Sequence, residues 1–176
     1  MNKRNMLALL PAAALVTGIW TVTAQAADLS AAAGFTGYGG STWRIGISKQ
    51  WNKRWYESER GYLSGYWDAG YTYWASSKEP GDAHSVSFSP VLTYSFTNIK
   101  YQPFVEFGIG VSLFSEKKVD NRNFGSAFNF EDRIGAGITL PGGSRLGLRA
   151  IHYSNAGFKK PNDGIESYAL FYSRAF

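Results

Sequence analysis

The sequence predicts an all-β protein, an eight-stranded antiparallel transmembrane β-barrel of the outer membrane. Three observations lead there. Apolar residues alternate with period two along most of the chain, the opposite face is built largely from small residues, and the chain closes on an alternating aromatic segment ending in Phe176. Successive side chains of a strand point to opposite faces, so period two separates a lipid face from a lumen face. No segment after residue 26 has the roughly 20 consecutive apolar residues of a membrane helix.

The first residues read as an address. Lys3 and Arg4 form a positive region, Leu7 to Trp20 a mostly apolar stretch, and Ala24-Gln25-Ala26 a small-x-small cleavage site. This is the pattern of a secretory signal peptide, with cleavage expected after Ala26. A membrane anchor fits less well because the apolar core is short and interrupted. The expected organisation is a removed leader over 1–26 and a single barrel domain over 27–176. Without Lys3 and Arg4 the chain keeps 16 basic and 13 acidic residues, a surplus that gives little support to nucleic-acid binding. The sequence has no cysteine, which excludes disulfides, thiolate metal sites and cysteine nucleophiles. It is 16% aromatic and has 20 glycines.

The alternation places strands near 28–38, 42–51, 61–74, 84–96, 102–115, 124–140, 144–155 and 165–176. The clearest is the fifth, where Val105, Phe107, Ile109, Val111 and Leu113 oppose Glu106, Gly108, Gly110 and Ser112. In the fourth, Val86, Phe88, Pro90, Leu92, Tyr94 and Phe96 oppose Ser87, Ser89, Val91, Thr93 and Ser95. In the third, Leu63, Trp67, Ala69, Tyr71 and Tyr73 oppose Tyr62, Ser64, Tyr66, Asp68 and Thr72. The links at 75–83, 116–123 and 156–164 are long and polar, whereas 97–101 and 141–143 are short turns. Outer-membrane barrels show that asymmetry, with long loops outside the cell. The link at 52–60 is longer, and the turn at 39–41 shorter, than the scheme prefers.

The small polar face separates a membrane barrel from a secreted lipocalin-like one. A soluble barrel needs a charged exterior, and Gly and Ser cannot supply it. They suit a narrow lumen, with the aromatic face against lipid and Trp and Tyr at the interfaces. Tyr168, Leu170 and Tyr172 alternate towards Phe176, which resembles the C-terminal signal of outer-membrane proteins. Arg174 interrupts that series at a rim where an arginine can snorkel.

With both ends periplasmic, strand seven runs outwards and reaches the surface near His152 and Ser154, and strand eight leaves it near Glu166. Residues two apart in a strand share a face at an axial separation of about 7 Å. His152 and Ser154 share the face of Leu146, Leu148 and Ala150, and Glu166 shares that of Tyr168, Leu170 and Tyr172. All three polar groups are therefore expected outside, where unpartnered they would cost several kcal/mol in hydrocarbon. A hydroxyl, an imidazole and a carboxylate are the parts of a serine hydrolase. The bland alternative is that they are ordinary residues of a wet rim.

The segment Ala150-Ile-His-Tyr-Ser-Asn-Ala-Gly157, followed by Lys160-Pro-Asn-Asp-Gly-Ile-Glu-Ser-Tyr168, resembles the active-site hairpin of the outer-membrane lipid A 3-O-deacylases, the PagL family. The likeness continues upstream in Gly-Tyr-Trp-Asp-Ala-Gly-Tyr-Thr-Tyr-Trp (65–74) and Asn-Phe-Glu-Asp-Arg-Ile-Gly-Ala-Gly (129–137), and covers nearly all of the chain after the leader. It implies an eight-stranded barrel in a Gram-negative outer membrane that hydrolyses the ester-linked acyl chain at position 3 of lipid A in the outer leaflet. It also implies a catalytic Ser154, His152 and Glu166, with lipid A or lipopolysaccharide as substrate and outer-membrane lipids around it. Asn155, by its side chain or neighbouring N–H groups, is a candidate for the oxyanion and equally for a residue that structures the loop, Gly157 allows close approach, and Asn162 matches the motif within a turn. No cofactor or metal is needed. The resemblance leaves room for a homodimer, although no residue marks an interface.

Other polar residues read as structure. Glu106, Glu131, Arg133 and Arg149 share inward parity and suggest an interior ion-pair network. Asp132 falls on the apolar parity and reads as a bulge or a substrate contact. His84 reads as solvated, and Lys117, Lys118, Arg122, Lys159 and Lys160 as solvated loop charge or attraction for lipid A phosphates. Two competing functions are a non-catalytic barrel and an outer-membrane phospholipase A. The phospholipase needs twelve strands, which 150 residues cannot build.

Overall fold

The computed structural model describes residues 27–76, 78, 81–97 and 99–176, and the expected leader lies outside them. Eight long strands form the wall: β1 Asp28–Thr36, β2 Ser41–Gln50, β3 Gly61–Ala75, β4 Ala83–Phe96, β5 Gln102–Phe114, β6 Phe128–Thr139, β7 Arg145–Ser154 and β8 Ile165–Ala175. Each pairs antiparallel with its neighbour in sequence, and β8 pairs back onto β1. The barrel is closed. Closure satisfies the backbone donors and acceptors internally, which a bilayer core demands.

The expected parity holds on the wall. In β5, Val105, Phe107, Ile109, Val111 and Leu113 are exposed, whereas Phe104, Glu106, Ser112 and Phe114 are buried. Ile45, Trp67, Val86, Phe88, Ile134, Leu148 and Leu170 continue the outward apolar surface around the barrel. A continuous apolar band of this kind is a lipid-facing surface.

Two segments depart from the sequence reading. The long link after β2 carries a short strand, Trp55–Ser58, that folds back on the start of β3. The sixth strand begins at Phe128 and not near 124, because Arg122–Asn123 pair with Lys118–Val119 in a small ribbon of the outer loop. Phe124 then turns inwards. It joins Trp74, Phe114, Val119, Ile151, Tyr153 and Ile165 in a buried cluster at the outer end of the lumen. Asp120, fully buried, latches this loop to the barrel. It accepts hydrogen bonds from Thr36 Oγ1 at 2.6 Å and Ser76 Oγ at 2.8 Å.

Below that cluster the lumen is filled by charged side chains. Asp68 accepts from Arg44 Nη2 at 2.6 Å and Arg133 Nη2 at 2.8 Å, and Glu131 accepts from Arg133 Nη2 at 2.5 Å. Ser89 Oγ and Tyr153 OH also donate to Glu131, at 2.7 and 2.9 Å. A second group joins Arg149 Nε to Glu106 at 2.6 Å, with Tyr66 OH donating to Glu106 at 2.7 Å. The interior network read from the parity of Glu106, Glu131, Arg133 and Arg149 is present. Gly70 makes room for it, since a Cβ there would lie 2.0 Å from Arg44 Cζ.

A buried charge stripped of its partner is strongly destabilising. Arg133→Met removes the guanidinium shared by Asp68 and Glu131. It is expected to lower the unfolding free energy by about 3–5 kcal/mol, measured as a shift of the urea midpoint in detergent micelles. An unchanged midpoint would show that the network is dispensable.

Candidate active site

Strand β7 alternates between two environments at its outer end. Ile151 and Tyr153 point inwards and are buried, and Tyr153 OH is tied to Glu131. His152 and Ser154 therefore lie on the outer face, as parity requires. Across the hairpin, His152 is the direct partner of Glu166 in the β7–β8 register. Direct partners on one sheet face are near enough for their side chains to meet. Here His152 Nδ1 lies 2.9 Å from Glu166 Oε1.

The chemistry of that contact is directional. In a neutral imidazole bonded to an ionised carboxylate, which only accepts, the proton sits on Nδ1 and the lone pair on Nε2. The side chains of His152 and Glu166 are 42% and 30% exposed, so the pair is open from outside the wall. Ser154 stands on the same face, two residues along β7. Its Oγ has no hydrogen-bond partner among the described residues.

The residues after Ser154 form a structured loop. Asn155 is fully buried. Its Nδ2 donates to the carbonyls of Phe124 and, at 3.1 Å, Lys159, and its Oδ1 accepts from Gly157 N at 2.8 Å. Its backbone N–H donates to Asn162 Oδ1 at 2.9 Å. The side chain of Asn155 is thus engaged in holding the loop, as is Asn162. Ala156 and Gly157 both have positive φ, 53° and 84°. That conformation is unusual for alanine and is held here by the surrounding bonds.

At three surrounding residues the structure narrows or changes the sequence reading. Asp132 makes no bulge: it sits in unbroken register between Ile109 and His152, outward-facing and exposed, on the side of His152 away from Glu166. His84 is more than solvated, since its Nδ1 is 2.6 Å from Tyr71 OH and its backbone bonds Ser115 in both directions. Arg122 is not a free loop charge. It donates to the carbonyls of Asp163 and Gly164 and stacks 4.7 Å over Tyr38. Lys117, Lys118, Lys159 and Lys160 are exposed, as expected.

Below His152 the outer wall is indented. Ala33, Phe35, Leu148, Ala150, Tyr168 and Leu170 border an apolar groove of about 520 Å³ across β1, β8 and β7. Ala150 is its small residue nearest the site, flanked in register by Tyr168 and Ile134.

Comparison with known proteins identifies related chains. The family model described as lipid A 3-O-deacylase (PagL) matches residues 37–175. The lipid A deacylase PagL of Pseudomonas aeruginosa is 54% identical over 166 residues, covering 93% of this chain and 96% of that protein. The lipid A deacylase PagL of Bordetella bronchiseptica is 37% identical over 111 residues, 62% of this chain and 61% of the relative. The crystal structure of the outer membrane enzyme PagL superposes with a TM-score of 0.79 at 55% identity, covering 83% of this chain and 97% of that one.

Proposed function

The chain belongs to the lipid A 3-O-deacylase (PagL) family, and from that membership and the site geometry we propose that it hydrolyses the ester-linked 3-hydroxyacyl chain at position 3 of lipid A. The observation that carries the reading is the His152–Glu166 pair on the outer wall of an outer-membrane barrel, with Ser154 on the same face. A lipid substrate in the outer leaflet lies against that wall. Its scissile ester sits at headgroup depth beside the rim, and the groove bordered by Ala150, Leu148 and Leu170 receives an acyl chain below.

In this reading His152 Nε2 takes the Ser154 proton as Oγ attacks the acyl carbonyl. Glu166 holds the Nδ1 proton in place and stabilises the imidazolium that results. Collapse of the tetrahedral intermediate breaks the ester bond, and His152 returns the proton to the departing sugar oxygen. Water then attacks the acyl-Ser154 ester by the same route, releasing a 3-hydroxy fatty acid.

The oxyanion needs donors placed before the reaction. The side-chain amide of Asn155 is bonded to Phe124 and Lys159, so its part is to hold the loop. Gly157 and Asn162 serve the same loop through Asn155. The Ala156 N–H, two residues from Ser154 and without an acceptor among the described residues, is the donor we assign.

Mass spectrometry of lipid A exposed to the protein tests the activity. The wild type is expected to remove one 3-hydroxyacyl chain, Ser154→Ala to lower kcat by roughly 10⁴–10⁶-fold, and Glu166→Gln by about 10⁴-fold. An unchanged acyl pattern with the folded wild type would sink the proposal. Asn155→Ala is expected to speed amide hydrogen exchange across 156–163 and to lower kcat with it. Full activity despite faster exchange would remove the loop from the mechanism.

A further inference from the structure

The imidazole of His152 rests against bare backbone. Gly164, which ends the Pro161-Asn162-Asp163 turn, has φ +65°, and a Cβ there would lie 2.7 Å from His152 Cε1 and 3.3 Å from Nε2. Glycine is thus required at 164 both by its conformation and by the ring beside it. The ring edge that touches Gly164 is the edge carrying the nitrogen that faces the nucleophile in a triad. Glu166 fixes the other edge. The position of the Gly164 backbone therefore sets where Nε2 lies.

That backbone is held by the outer loop between β5 and β6. Arg122 Nε donates to the Gly164 carbonyl at 2.9 Å, and its Nη2 donates to the Asp163 carbonyl. Beside it, Asn123 N donates to Asp163 Oδ2 at 2.8 Å, and Asp163 N to the Asn123 carbonyl at 3.0 Å. The guanidinium is itself held, with one face 4.7 Å over the Tyr38 ring in the β1–β2 turn. The loop behind it is anchored by buried Val119, Asp120 and Phe124. A continuous set of contacts thus runs from the far side of the barrel mouth, through Arg122, to the back of His152. A planar fork that bonds two carbonyls and stacks on an aromatic ring is a task for arginine and not for lysine.

We propose that Arg122 is a positioning residue for His152, acting through the backbone of Gly164. The proposal rests on the triad reading above. Its function is to hold the base nitrogen in line with Ser154, because misplacement by about 1 Å costs around a hundredfold in rate.

Two readouts on the full-length barrel in micelles test it, after heat-modifiable migration on gels has shown that each variant is folded. The first is the split between kcat and KM on lipid A. Arg122→Ala and Gly164→Ala are each expected to lower kcat roughly ten- to hundredfold, with KM moved less than about threefold. Arg122→Lys should fall between Arg122→Ala and the wild type. The second is the ring Cε1–H resonance of His152, readily assigned because the sequence has only two histidines. It should shift in both variants while that of His84 stays in place. Wild-type kcat in the variants, beside an inactive Ser154→Ala, would overturn the role of Arg122 and leave the triad reading intact. A loss of kcat with an unshifted His152 resonance would overturn it as well. If Arg122→Ala does not assemble, Gly164→Ala and Arg122→Lys decide by the same two readouts. An active Ser154→Ala would instead overturn the triad reading, and this inference with it.

Discussion

The guanidinium of Arg133, shared between Asp68 on β3 and Glu131 on β6, is the interaction the rest of the barrel is arranged around. An outer-membrane barrel has its apolar face turned to lipid, so hydrophobic burial in a central core cannot by itself fix how the staves sit. Ion pairs in a water-poor lumen can do so, provided every charge finds a partner. Arg44 on β2, Ser89 on β4 and Tyr153 on β7 complete the set, while Glu106 on β5 joins Tyr66 and Arg149 in a second one. On the proposed reading Tyr153 matters most for function. It is the residue between His152 and Ser154, so its bond to Glu131 secures from inside the strand that carries both.

The wall and the site were legible to different depths. Strand positions and parity came from simple alternation, because a thin wall with two unlike environments forces each residue to one side or the other. For the same reason the outward placement of His152, Ser154 and Glu166 was legible in the sequence, and the strand order put them at the outer end of one hairpin; their register, with His152 opposite Glu166, came from the structure. Interior charges such as Glu131 and Arg133 were recognisable because they share the parity of the small inward-facing residues.

Loops carry no such periodicity, and there the sequence was silent. Asn155, next to a serine, fitted an oxyanion donor and a loop-structuring residue equally, and what decides for the loop is the bond of its amide to Phe124, a residue thirty-one positions away. Arg122 looked like one of several solvated cations. Nothing local distinguishes it from Lys117 or Lys118, because its partners, Gly164 and Tyr38, belong to two other outer connections. Asp132 was visible as an anomaly of parity, and only the register of β6 against β7 placed it beside His152.

The half-exposed position of His152 and Glu166 at the outer end of the wall has a further consequence on the proposed reading. The two halves of the reaction draw on different phases. Acylation takes its substrate from a two-dimensional film, at a rate governed by how often a lipid drifts past one stretch of the barrel's circumference. Deacylation takes its water from the bulk above the rim. A site deeper in the wall would be rich in substrate and starved of water, and one higher in the loops would be the reverse. The depth of β7 at which His152 falls is the depth at which both supplies meet.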